Sequence, residues 1–88
     1  MATYKRQKTQ TELAEFMVRN LAAVMERERE KRDMGKIEFA KFCGIKGATY
    51  FQILEGSANP TLYVITRISN SLNVPVYELL FNAEKPKS

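Results

Sequence analysis

The residues able to do covalent or acid–base chemistry are few in this 88-residue chain. It contains no histidine and a single cysteine, Cys43, so it offers no histidine-assisted nucleophile and no zinc site built from cysteine and histidine. Glu28, paired with Glu30 or Asp33, is the nearest approach to two catalytic acids. These residues lie in a charged stretch without the apolar pocket that raises a carboxyl pKa, and no glycine-rich phosphate loop is present. The sequence therefore predicts a protein that is not an enzyme and needs no metal or cofactor.

The side chains suited to binding are basic. Lysine and arginine number 14 against 10 aspartate and glutamate residues, giving a formal net charge of +4, which suits a polyanionic partner such as nucleic acid. Hydrophobic residues make up 44% and charged residues 27%, a globular balance, and the length predicts one domain. The sequence shows no stretch of membrane-spanning length and no secretory-type apolar stretch after its N-terminus, so we expect a cytoplasmic protein.

Apolar residues at helical spacing predict an all-α domain over residues 9–82. Thr9 to Glu12 has the form of a capping box, which predicts the start of the first helix. An apolar stripe follows up to about Arg29 and comprises Leu13, Phe16, Met17, Leu21, Val24 and Met25. Residues 1–8 are predicted to form a flexible basic arm and residues 83–88 a polar tail. The charged end of the helix is typical of a solvated face, in which Glu28 and Arg32 can pair one turn apart.

Glycine, proline and asparagine mark the ends of four shorter helices. We predict a second helix that ends before Gly44, a third from Gly47 to Glu55, a fourth that begins near Thr61 and a fifth from Val76 to Phe81. Their apolar residues are Ile37, Phe39, Ala40, Phe42 and Cys43, then Tyr50, Ile53 and Leu54, then Leu62, Ile65, Ile68 and Leu72. Cys43 is expected to be a reduced, buried core thiol.

The stretch from Gly35 to Pro60 has the organisation of a helix-turn-helix motif. Ala40 is small where two helices must cross closely, Gly44 permits the tight turn, and Ile45 can fill the space beneath it. Such a pair projects its second helix outward, so that the first turn of that helix can enter the major groove of DNA.

This pattern resembles the lambda-repressor-like helix-turn-helix family. The resemblance runs without a gap from about Thr9 to Leu79 and is carried by Ala40, Gly44-Ile45, Tyr50, Ile53-Leu54, Gly56 and Pro60. It implies a five-helix lambda-repressor-like fold with a basic N-terminal arm. It also implies a sequence-specific transcriptional regulator that binds double-stranded DNA, of the phage- or prophage-repressor type.

The resemblance also implies a role for each candidate site residue. The base-reading positions are Gly47, Ala48, Thr49 and Gln52. The positions that contact the DNA backbone are Lys36, Arg29, Lys46 and Thr61, and the arm residues that reach around the duplex are Lys5, Arg6 and Lys8. Among the base-reading residues, Gln52 can pair with adenine through two hydrogen bonds and Ala48 can contact a thymine methyl group.

A homodimer is expected, because one helix-turn-helix reads only a few base pairs. It can form in solution or only on DNA. The fifth helix carries more apolar residues than one buried face requires, so Tyr77, Leu80 and Phe81 are the predicted dimer contact and Leu79 is assigned to the core.

The alternative is an antitoxin or anti-repressor whose third helix, with Tyr50, Phe51 and Glu55, binds a protein. The two hypotheses differ in what surrounds the third helix. Basic residues that share a face with Thr49 and Gln52 favour DNA, whereas an apolar patch centred on Phe51 favours a protein partner.

Overall fold

The computed structural model describes residues 2–81, with the side chains of residues 11–81. In this part of the chain it has five helices and no strand: α1 (Ala2–Lys31), α2 (Lys36–Cys43), α3 (Gly47–Glu55), α4 (Leu62–Leu72) and α5 (Val76–Phe81). The all-α prediction is confirmed, and α3 and α5 have the predicted bounds. The predicted tail at 83–88 lies outside the described residues. None of the described helices is both long and apolar enough to cross a membrane.

The first helix begins earlier than the sequence predicts. It starts at Ala2, so the predicted start at the Thr9–Glu12 capping box is wrong, and the backbone of residues 2–8 continues the helix. The physical reason is composition: alanine, lysine, arginine and glutamine favour helix, and residues 2–8 contain no glycine or proline that would end it. The side chains of Lys5, Arg6 and Lys8 lie outside those the structure describes.

The core lies where the second half of α1 meets the four shorter helices. Its buried apolar residues are Leu21, Val24, Met25, Phe39, Ala40, Cys43, Tyr50, Ile53, Ile65, Ile68, Leu72 and Leu79. Most of the predicted stripes are therefore confirmed, including the buried thiol of Cys43, whose pKa burial raises to about 11.

Some residues at the ends of the predicted apolar stripes are exposed and do not belong to the core. Leu13 is exposed because it precedes the part of α1 that the other helices cover, and Phe16 is 41% exposed although its ring packs beside that of Phe81. Leu62 is 78% exposed because it is the first residue of α4, one turn ahead of the buried Ile65. Ile37 and Phe42 on α2 are also exposed.

Four of the helices end in the same hydrogen-bonding pattern. The residue that leaves each helix adopts a positive φ, at Asp33, Gly44, Gly56 and Asn73. At the end of α2, the N–H of Gly44 donates to Lys41 O at 2.9 Å and that of Ile45 to Ala40 O at 3.0 Å. This Schellman arrangement satisfies carbonyls that the helix leaves open and reverses the chain sharply. As a result, only Gly44, Ile45 and Lys46 separate α2 from α3.

Gly44 is also the point where α4 approaches the turn. A Cβ atom on Gly44 would lie 3.1 Å from Cδ of Arg67, whereas a Cβ on Gly56 would meet nothing within 4 Å. Both glycines adopt a left-handed conformation, with φ of 75° and 81°. The turn therefore needs glycine for its backbone conformation and for the space that Arg67 occupies.

Replacing Gly44 by alanine should destabilise the fold more than the same change at Gly56. In both variants alanine is forced into the left-handed region, at a cost of roughly 1–2 kcal/mol, and only the Gly44 variant adds a close contact with Arg67. The free energy of unfolding in urea measures both losses. Equal losses would show that Arg67 does not restrict the turn.

Candidate nucleic-acid interface

A carboxylate on α1 joins the three helices that set the position of the helix-turn-helix motif. Arg29 donates to both oxygens of Glu26, from Nη2 at 2.9 Å and from Nε at 3.2 Å. The hydroxyl of Tyr50 on α3 donates to Oε2 of Glu26, and Nζ of Lys36 on α2 lies 3.4 Å from Oε1. These four residues, named here the Glu26 clamp, hold α2 and α3 against α1.

The contacts within the clamp keep the Glu26 carboxyl ionised and the Tyr50 phenol protonated. Hydrogen bonds from Arg29 outweigh the effect of burial and hold the pKa of Glu26 at about 2. Burial, together with the hydrogen bond to Glu26, raises the pKa of Tyr50 above its usual value. At neutral pH the carboxylate is therefore ionised and the phenol keeps the proton that it donates.

One of the acids considered for catalysis, Glu28, is not exposed as the sequence predicts. Glu28 is buried, with 5% of its surface exposed, so the expectation of a solvated face is wrong at this residue. The predicted pair is present, with Nη1 of Arg32 2.7 Å from Oε1 of Glu28. Burial raises the pKa of Glu28, but the hydrogen bond from Arg32 and the charge of Lys31 outweigh it and lower the pKa overall. Glu28 is thus a structural anion.

The predicted base-reading residues all lie in α3, three of them in its first turn. Ala48 and Gln52 are exposed, and Gly47 and Thr49 are half-buried. The start of α2 packs beside them: a Cβ on Gly47 would lie 3.0 Å from Cδ1 of Ile37. The first turn of α3 therefore presents a surface of small side chains, with the longer amide of Gln52 one turn further on.

A groove of about 420 Å³ lies between the start of α3 and α4. It is lined by Gly44, Ile45, Lys46, Thr49, Thr61, Tyr63, Val64 and Arg67. This α3–α4 groove brings together Lys46, Thr49 and Thr61, which the sequence assigned to DNA contacts. Tyr63 and Arg67 were missed. Their spacing of one helical turn was the available signal, but the sequence alone did not show that the face they share meets the turn.

The cations at the end of α1 differ from those of the groove, because they form ion pairs with carboxylates of α1. Arg29 is only 16% exposed in its side chain and also donates to Met34 O at 2.6 Å, so the structure does not place it with the groove residues. Lys36 takes an intermediate position, with 40% of its side chain exposed at the start of α2. Within the described part of the chain, Lys46 and Arg67 make no ion pair.

The groove is also where two helices begin. Lys46 is the N-cap residue of α3 and Thr61 that of α4, and Oγ1 of Thr61 accepts a hydrogen bond from the N–H of Val64 at 3.1 Å. The N-terminal end of a helix carries partial positive charge from its aligned peptide dipoles. Side-chain and backbone electrostatics therefore both make this groove attractive to an anion.

Three exposed aromatic side chains lie together where α1 meets α5. The ring of Phe81 lies 5.3 Å from that of Tyr77 and 6.2 Å from that of Phe16, forming an α1–α5 aromatic cluster. Phe51 is 38% exposed, does not line the groove, and packs its ring 6.2 Å from that of Tyr50. Leu80 is half-buried against the core.

Comparison with known proteins gives one result. Residues 25–79 match the sequence profile of a helix-turn-helix family, a stretch that includes α2, α3, α4 and every residue of the α3–α4 groove. Comparisons with curated proteins and with solved structures gave no match.

Replacing Glu26 by glutamine should destabilise the fold by roughly 1.5–3 kcal/mol at pH 7, the range for hydrogen bonds to charged groups. The amide cannot accept all the donors around it and leaves Arg29 without its anion. Because the folded pKa of about 2 lies below the ordinary 4.5, the gap between wild type and variant should shrink as pH falls below about 4.5 and vanish only below about pH 2. Urea denaturation across this range measures it.

The matched control is Glu30→Gln. Glu30 also pairs with Arg29, at 3.8 Å, but 71% of its side chain is exposed, so the loss should be a few tenths of a kcal/mol. A Glu26 variant as stable as this control at pH 7 would contradict the clamp.

Proposed function

Because the chain belongs to the Xre/lambda-repressor-like helix-turn-helix family of DNA-binding transcription regulators, we propose that it is a phage- or prophage-type repressor that reads the major groove with α3. The observation that carries this proposal is the α3–α4 groove, where Lys46, Thr49 and Thr61 meet beside the start of α3. Base-edge and backbone contacts are needed together for sequence-specific binding.

The base-reading surface is short and has one strong hydrogen-bonding group. The amide of Gln52 can give and accept a hydrogen bond at the edge of adenine, Thr49 can bond through its hydroxyl, and Ala48 can meet a thymine methyl group. Gly47 offers the bases no side chain, because the position of its Cβ is taken up by Ile37, whose Cδ1 would lie 3.0 Å away. This combination favours a half-site with an A·T pair opposite Gln52.

Contacts to the DNA backbone come from residues on two sides of α3. Lys36 at the start of α2 and Lys46 before α3 are the cations that we assign to phosphates, with Thr61 as a further contact. Arg29 acts indirectly in this proposal, because its bonds to Glu26 fix the helix that reads the bases. The side chains of Lys5, Arg6 and Lys8 extend the positive charge if the N-terminal segment reaches the duplex.

We further propose that the protein binds DNA as a homodimer through the α1–α5 aromatic cluster. Tyr77 is 65% and Phe81 38% exposed, and Phe16 is exposed beside them at 41%. A second copy related by two-fold symmetry would bury these rings and place two copies of α3 on successive turns of the major groove. Leu80, half-buried against the core, contributes at the margin of this contact.

Selection of bound sequences from a random duplex library tests whether the protein binds DNA in a sequence-specific way. The Gln52→Ala variant tests whether α3 contacts the base edges. We expect wild type to enrich a two-fold symmetric site. The variant should lose roughly 1–3 kcal/mol of binding free energy, confined to one base pair of each half-site, because it removes one bidentate contact. Fluorescence anisotropy on single-base variants of the site measures this.

The control is Lys46→Ala, which changes an exposed cation outside the Glu26 clamp and should weaken binding to all these duplexes to a similar extent, because a phosphate contact carries no base information. No enriched sequence would contradict the function. A uniform loss in the Gln52 variant would contradict the role of α3.

Replacing Tyr77 and Phe81 by glutamine should abolish cooperative occupation of the two half-sites while leaving the helical circular dichroism unchanged, since both residues are exposed. Sedimentation velocity on the selected duplex counts the bound copies. Phe42→Gln, which changes an exposed aromatic residue outside both the cluster and the groove, should leave two copies bound. Cooperative binding by the double variant would rule out this interface.

A further inference from the structure

Arg67 extends from the middle of α4 across the helix-turn-helix turn. Its Nη1 donates to the carbonyl of Gly44 at 3.3 Å, and its Cδ and Cγ pass close to the position where a Cβ of Gly44 would lie. The side chain is exposed. A guanidinium group has five N–H donors, and the bond to Gly44 uses only one of them. The bond therefore orients the guanidinium group and leaves most of its donors available to a ligand.

The charges around this guanidinium are unbalanced. Among the described residues that line the α3–α4 groove, two are cations, Lys46 and Arg67, and none is a carboxylate. By contrast, the cations of the α1 end pair with Glu26, Glu28 and Glu30. The groove therefore holds positive charge that no described side chain neutralises.

The other polar groups of the groove can complete a site for an oxyanion. The Tyr63 side chain is 80% exposed and contributes a phenolic hydroxyl. Thr49 contributes a second hydroxyl from the first turn of α3 and lines the groove together with Lys46. All these groups can donate hydrogen bonds, and a guanidinium matches two oxygens of a phosphate in a bidentate geometry.

We propose that the α3–α4 groove binds one phosphodiester group of the DNA backbone, with Arg67 as its main charged ligand and Tyr63 as a second donor. This inference rests on the proposed function and adds a contact from α4 to it. Because Arg67 is bonded to the turn that precedes α3, a phosphate held by Arg67 fixes the depth and register of α3 in the major groove. Arg67 thus links binding of the backbone to the position of the reading helix.

The test compares Arg67→Gln and Arg67→Lys with wild type on the selected duplex and on duplexes of unrelated sequence, over a range of salt concentrations. Arg67→Gln should weaken binding to all duplexes roughly tenfold, the value of one charge-assisted hydrogen bond. It should also reduce the magnitude of the log–log salt slope by about 0.9, since one fewer counterion is released. Arg67→Lys should keep the wild-type slope because it keeps the charge.

The control is Arg19→Gln, which changes another exposed arginine without an ion pair to a described residue, on α1 and outside the groove. Its salt slope should equal that of wild type. An Arg67→Gln variant that melts at a lower temperature but keeps the wild-type slope would show a purely structural role and overturn the inference. Wild type that binds no duplex would overturn the proposed function itself, whereas wild-type binding with an unchanged Arg67→Gln slope overturns this inference alone.

Discussion

The ionised carboxylate of Glu26 is the point on which the arrangement of the first three helices depends. It accepts hydrogen bonds from Arg29 of α1 and Tyr50 of α3 and lies within 3.4 Å of the ammonium group of Lys36 of α2. Each of these groups is costly to leave unpaired at low exposure, because a partly buried charge or hydroxyl gives up water that only a partner can replace. The side chains surround the carboxylate only when α2 and α3 take one orientation against α1.

This constraint decides which charges remain for a ligand. The cations at the end of α1 are paired with Glu26, Glu28 and Glu30, so their charge is largely neutralised by these carboxylates. Lys46 and Arg67 keep their charge unpaired within the described residues and lie in one groove beside α3. The pairs that position the reading helix thus leave Lys46 and Arg67 to attract an anion in the groove.

The sequence predicted the short helices well because their ends are set locally. Gly44 and Gly56 adopt the left-handed conformation that ends α2 and α3, and glycine at such a position is visible in the sequence. The start of α1 was missed because Thr9 to Glu12 fits a helix interior as well as a cap. The exposure of Leu62 was missed because a periodic stripe does not show where its neighbours stop.

The candidate site was only partly predictable for a different reason. Thr49 and Gln52 follow from the helix-turn-helix pattern, which is local. The Glu26 clamp joins residues separated by 24 positions, and the bond from Arg67 to Gly44 joins residues separated by 23. Contacts at such separations depend on the packing of whole helices, and a single sequence shows no pattern that pairs these residues.

We expect DNA to contact the start of α3 together with the α3–α4 groove. The most direct test of this expectation is a nuclear magnetic resonance titration of the isotope-labelled protein with the selected duplex. We expect the largest changes in the backbone amide signals of residues 46–52 and 61–67. If those signals stay in place while the largest changes fall on the C-terminal end of α3 or on the middle of α1, DNA binds a different surface and α3 is not the helix that reads the bases.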